Sequence, residues 1–110
     1  MRLGGPLFDR YDHADAWIAA LTTHGYTAAY APIDQTASAA TIASFRQAAA
    51  HNDIMIAEVG AWSNPIAVDA QQRSAAVTLC QERLALADAL GARCCVNIAG
   101  SRGAEWDGPD

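Results

Sequence analysis

Short apolar runs alternate along this chain with longer stretches in which apolar residues return every three or four positions. The first run, "RLGGPLF", is followed by "DRYDHADAWIAALTTHG". In that second stretch Ala14, Trp17, Ile18 and Leu21 share one helical face, with Asp12 as N-cap and Gly25 at the C′ position. An extended run, "YTAAYAPI", comes next and is ended by Pro32. Ser38 or Thr36 then caps a helix through "AATIASFRQAAAHN", whose larger apolar contacts are Ile42 and Phe45. A third run, "IMIAEVGAWSNP", begins at Ile54 as a buried strand and then carries an acid, Glu58. Asp69 opens the longest helix, roughly twenty residues, with Val77, Cys80, Leu84 and Ala87 on one stripe and Gly91 as its stop. A fourth run extends from Arg93 to about Ser101, and "GAEWDGPD" reads as a polar loop.

Strand and helix thus alternate three times and a fourth strand follows. That pattern predicts right-handed crossovers and a parallel sheet of four strands in sequential order, an α/β fold with the helices outside. The last strand would be an open edge, which invites self-association. The polar tail looks like the loop into a further helix, so the chain reads as cut short.

Composition narrows the function classes. The chain has 110 residues, half of them hydrophobic, which fits one ordered domain at most. About a quarter of the residues are alanine, so a few larger side chains must build the core. The formal charge is -5, there is no lysine, and the seven arginines are scattered singly along the sequence. Phosphate neutralisation needs a local excess of basic residues, so a nucleic-acid partner is excluded on this reading. No run approaches the roughly 18 apolar residues of a membrane span. Asp9, Arg10 and Asp12 stand where a signal peptide would be apolar. Cys80, Cys94 and Cys95 read as reduced packing thiols, without a C-x-x-C pair, and point to the cytoplasm. A response-regulator receiver would need a lysine. A dinucleotide fold would need a glycine-rich turn where "FDRYDH" stands.

In parallel α/β sheets ligands bind beyond the carboxyl ends of the strands, and the unusual polar residues gather there. Tyr30 closes the second strand, Glu58 closes the third, and Trp62 and Asn64 lie in the loop beyond. Asn97 interrupts the fourth run, and Ser101, Arg102 and Trp106 follow it. Strict alternation puts Ile54, Ile56 and Glu58 on one face, so that a carboxylate ends a row of core side chains. As a partly buried acid, Glu58 is expected to hydrogen-bond Asn97 or a substrate hydroxyl. Each residue also has a structural reading: Glu58 bonded to a neighbouring loop, Asn97 a satisfied core amide, the tryptophans packed under loops, Tyr30 in the core. "GSRG" resembles an anion-binding loop, with small residues exposing N–H groups beside an arginine. His13, His24 and His51 sit at helix ends and read as structural.

The pieces "LGGPLF", "GYTAAYAP", "IMIAEVGAWSNP" and "LALADALGARCCVNIAGS", in this order and spacing, resemble the sugar phosphate isomerase/epimerase group of the xylose-isomerase-like TIM-barrel superfamily. A barrel of that kind needs eight strands and about 250 residues. The resemblance therefore implies that residues 1–110 are its N-terminal half, with four of the strands. It implies a sugar or sugar phosphate as substrate and proton transfer next to a carbonyl through an enediol. It also implies a divalent metal, Mn or Mg, held by carboxylates and a histidine on later strands. None of those positions falls in this chain, so no metal and no catalysis are expected of it alone. For this half the resemblance implies substrate contacts from Glu58, Asn97, Trp62 and Trp106. Endonucleases of the superfamily bind zinc through histidines after the third and fourth strands, and here no histidine follows His51. Dehydratases and lyases share the scaffold and stay open, as does a small self-contained α/β module that binds a ligand.

Overall fold

The computed structural model describes residues 1–103. Three helices and three strands alternate: α1 (Ala14–Thr23), β1 (Ala28–Tyr30), α2 (Ala39–His51), β2 (Met55–Ala61), α3 (Ala70–Leu90) and β3 (Cys94–Asn97). The strands are parallel and lie in the order β1-β2-β3. The parallel α/β class expected from the alternation is therefore present.

The four-stranded half-barrel is not. "RLGGPLF" forms no strand; its only pairing is an isolated parallel bridge between Gly4 and Ala28. The composition explains this. Two glycines weaken an extended segment, and Pro6 has no N–H to give a ladder. The carbonyl of Leu3 accepts from both Thr27 and Ala28, at 2.8 and 3.1 Å, and the pairing goes no further. A Cβ on Gly4 would run into the Ala28 carbonyl, so the close approach at the bridge requires glycine. Three strands are too few for half of an eight-stranded barrel.

Helix ends follow local chemistry. Ser38 Oγ accepts from the Thr41 amide at 3.1 Å, and Asp69 Oδ1 from the Gln72 amide at 2.8 Å. At α1 the cap is His13, whose Nδ1 accepts from the Ala16 amide at 3.2 Å, and not Asp12. Gly91 closes α3 in the left-handed conformation, at φ 73°.

One apolar cluster joins all three helices to the sheet. Trp17 and Leu21 of α1, Phe45 of α2 and Leu90 of α3 meet Ile56 and Val59 of β2. Trp17 is 1% exposed and meets the Phe45 ring edge-on, with centroids 5.6 Å apart. Sequential parallel strands with crossovers of one hand place every helix on the same side of a sheet, and a single cluster is the result. Among the described residues the opposite face carries no helix.

Two expected patterns are corrected. The stripe Val77–Cys80–Leu84 does not face this core. Ala76, Leu86, Ala87 and Leu90 are the buried residues of α3, while Val77 and Leu84 are exposed. In an alanine-rich helix the larger side chains do not by themselves mark the inner face. The alternation along β2 is also broken. Ala29 pairs with Ile56 but Tyr30 pairs with Glu58, so Ala57 is an extra residue, a bulge. Ile56 and Val59, three apart, both reach the helix side. Glu58, next to Val59, points to the other face. Ile56 and Glu58 therefore do not form one row.

Candidate functional site

The bulge decides what the helix-free face presents. Tyr30, Glu58 and Cys94 are consecutive partners across β1, β2 and β3. Their chain neighbours Ala29, Val59 and Cys95 all belong to the helix-side core or pack against it. Tyr30, Glu58 and Cys94 thus form one cross-strand row on the open face. Two residues along, Gly60 continues this face of β2, and the Trp62 indole lies over it. A Cβ on Gly60 would collide with Trp62 Nε1. The absent Cβ is what lets the indole approach the strand here.

Tyr30 and Trp62 are 52% and 61% exposed, which removes their core readings. Glu58 is half-buried. Among the described residues no side chain donates to its carboxylate, and the ion pairs are Arg2–Asp53, His13–Asp12 and His24–Asp9. A half-buried carboxylate that no side chain among the described residues donates to, on the face it shares with Tyr30 and Trp62, can accept hydroxyl groups from a ligand.

The other expected site residues lie elsewhere. Asn97 pairs with Ala61, which is 1% exposed on the helix side, so Asn97 faces away from Glu58 and the two do not meet. It lines a cavity of about 300 Å³ with Val77, Cys80, Leu84 and Cys95, beside the outer flank of α3. Ser101 is buried and held by a residue whose role the sequence did not reveal, Asn64. The Asn64 Nδ2 donates to the Ser101 carbonyl at 2.7 Å, and the Ser101 amide donates to Asn64 Oδ1 at 3.0 Å. Gly100, at φ 97°, makes room, since a Cβ there would strike Asn64 Oδ1. The Gly103 amide in turn donates to Ser101 Oγ at 3.0 Å. Two of the N–H groups in "GSRG" are thus spent within the chain, so the segment ties the loop after β2 to the loop after β3. Arg102 is exposed. Trp106 lies outside the described residues.

The cysteines differ in setting. All three are free thiols. Cys94 is exposed on the open face, with its Sγ 3.5 Å from the Ala57 carbonyl. Burial pushes the Cys95 thiol up, with smaller contributions in the same direction from Cys80 and Cys94 and an opposing one from Arg83. Iodoacetamide at pH 8 is therefore expected to alkylate Cys94 several-fold faster than Cys95, read by peptide mass spectrometry. Equal rates would mean that Cys95 is not shielded by the core, and a reversed order would mean that the two faces of β3 are exchanged.

Among the described residues no group of three or more His, Cys, Asp and Glu side chains is placed to hold an ion, whereas hard divalent cations need several oxygen ligands. No helix among the described residues is long and apolar enough to cross a membrane. Comparison of the chain with protein-family models, with curated proteins and with solved structures finds no match.

Proposed function

We propose that the helix-free face of the sheet binds a polyhydroxylated small molecule, a sugar or sugar phosphate, in the manner of the sugar phosphate isomerases and epimerases that the sequence resembles. The observation that carries this reading is the row Tyr30–Glu58 with Trp62 folded over Gly60 on the same face. An ionised carboxylate accepts two or more hydroxyl hydrogens at once, and charge-assisted bonds of this kind are the stronger ones. The faces of Tyr30 and Trp62 supply apolar walls against which the C–H side of a sugar ring packs. Tyr30 and Trp62 stand at the carboxyl ends of β1 and β2, where parallel sheets bind their ligands, whereas Glu58 lies in the middle of β2 and does not close the strand as expected. Free thiols fit a reducing compartment such as the cytoplasm.

In this role Glu58 orients the substrate by its hydroxyls. The isomerisation itself, proton transfer through an enediol, belongs to the complete enzyme of this reading, and the chain alone is expected to bind without turnover. A ligand-binding module that performs no chemistry would use the same face.

Titration calorimetry with a pentose and its 5-phosphate tests the proposal. Glu58→Gln should weaken binding about tenfold to a hundredfold, roughly 1.4–2.7 kcal/mol, with the melting temperature within about 2 °C of the parent. Bound sugar should also slow alkylation of Cys94. An unchanged affinity together with a melting temperature several degrees lower would make Glu58 a structural residue and end this reading.

A further inference from the structure

The arginines that are scattered along the sequence are not scattered in space. Arg2 from the N-terminal segment, Arg46 from α2 and Arg93 from the turn before β3 line one cavity of about 320 Å³. It lies at the amino end of the sheet, bounded by Ile54, Met55 and Ile56 at the start of β2 and by Leu90 and Gly91 at the end of α3. This is the end opposite Trp62. Three of the seven arginines of an acidic chain meet here, and no Asp or Glu is among the lining residues.

Each guanidinium offers five N–H donors, and few are used by the chain. Arg2 donates to the Thr27 carbonyl at 3.2 Å, to the Asp53 carbonyl, and to Asp53 Oδ1 at 2.7 Å. Arg46 donates once, to the Ala89 carbonyl at 3.1 Å. Arg93 is exposed and makes no side-chain hydrogen bond or ion pair among the described residues. Asp53 offsets one of the three charges. The carboxyl ends of α2 and α3, with about half a negative charge each, offset roughly one more. A net positive charge and two largely unused guanidinium forks are left.

The backbone supplies no competing donors at the floor of this cavity. The amides of Ile54, Met55, Ala92 and Arg93 are bonded to the carbonyls of Ala49, Thr27, Ala87 and Ile56 at 2.8–3.1 Å. An anion must therefore be held by side chains, and the planar guanidinium matches the oxygens of a phosphate two at a time. The apolar walls Ala49, Ile54 and Leu90 leave room for a small organic group beside it.

We propose that this cavity binds the phosphate group of a small phosphorylated molecule through Arg46 and Arg93, with Arg2 fixed by Asp53 as the third wall. The site is separate from the open face of the sheet, so its failure would leave the sugar-binding reading untouched, and the converse holds.

The test uses inorganic pyrophosphate as probe, titrated calorimetrically into the whole chain at low ionic strength. One-to-one binding at submillimolar concentration is expected, weakened at least tenfold in Arg93→Gln and less in Arg93→Lys, which keeps the charge but loses the fork. Arg10→Gln, which removes an arginine outside the cavity, should bind as the parent does. Melting curves without pyrophosphate should be the same for the parent and the Arg93 variants, because that side chain makes no bond within the fold. Absence of binding by the parent chain would overturn the proposal. So would equal weakening by Arg10→Gln, which would reduce the effect to overall charge, or undiminished binding by Arg93→Gln.

Discussion

Trp17→Ala is expected to remove a large part of the stability of this fold and to lower its melting temperature by roughly 12 °C or more. The indole is 1% exposed, belongs to the cluster that joins the three helices to the sheet, and meets Phe45 edge-on. Truncating a buried tryptophan costs about 3–5 kcal/mol, while a domain of this size is stable by roughly 5–15 kcal/mol in all. The neighbours cannot collapse into the space, because much of the helix surface facing the sheet is alanine. Ala14, Ala49, Ala76 and Ala87 are all buried, and a methyl group has no rotamer with which to fill a void. Thermal unfolding followed by far-UV circular dichroism should lose roughly 12 °C or more. A loss below about 4 °C would mean that the helices are held to the sheet by something other than this cluster.

The second large effect is expected far from the core, at Asn64→Ala. Its side-chain amide makes two hydrogen bonds to the backbone of one residue, Ser101, which is 3% exposed. Removing it orphans a buried N–H and a buried carbonyl at about 1–3 kcal/mol each, so a loss of roughly 2–6 kcal/mol should appear in urea unfolding. Asn64→Asp keeps the acceptor for the Ser101 amide and loses only the donor, so it should cost about half as much. Hydrogen exchange separates this from a general weakening: the Ser101 amide should exchange far faster in Asn64→Ala, while amides in the middle of β2 follow the global stability. An Asn64→Ala chain as stable as the parent would show that the two loops are held by other contacts.

Much of the architecture was legible along the chain because its signals are local. A cap accepts hydrogen bonds from amides two or three residues ahead, so Ser38 and Asp69 could be read without knowing the fold. The αL turn after α3 needs a residue without a Cβ, so Gly91 marked a stop. The apolar face of α1 was visible because Trp17 and Leu21 are large and four apart. The same logic failed in α3. The side chains that reach the core there are largely alanine, and the larger Val77 and Leu84 point elsewhere. Asp12 and His13 are both chemically able to cap α1, and only the local backbone path selected the histidine.

The candidate site was legible in part. Strand alternation and the rule of carboxyl ends brought out Tyr30, Glu58 and Trp62, and these three do share a face. Of the two partners expected for Glu58, Asn97 or a substrate hydroxyl, Asn97 lies on the other face, because the bulge at Ala57 turns Glu58 over without changing β3. A bulge adds one unpaired residue to a strand without altering its composition, so nothing in "IMIAEVGA" announces it.

By itself the sequence determined the three helices, the three strands between and after them, and the parallel α/β class; the fourth strand it also called for, at "RLGGPLF", is not there. Those features depend on residues within one turn or one strand of each other. The tertiary structure decided everything that depends on residues far apart. It reduced "RLGGPLF" to a single bridge, since a strand exists only where a neighbour's ladder accepts it. It sent Glu58 to the open face through the register of β1 on β2. It locked Asn64 to Ser101 across 37 positions, and it gathered Arg2, Arg46 and Arg93 from three distant segments around one cavity. Distance along the chain carries no information about such meetings, because they are set by how helices lie across the sheet and not by the identity of the residues that meet.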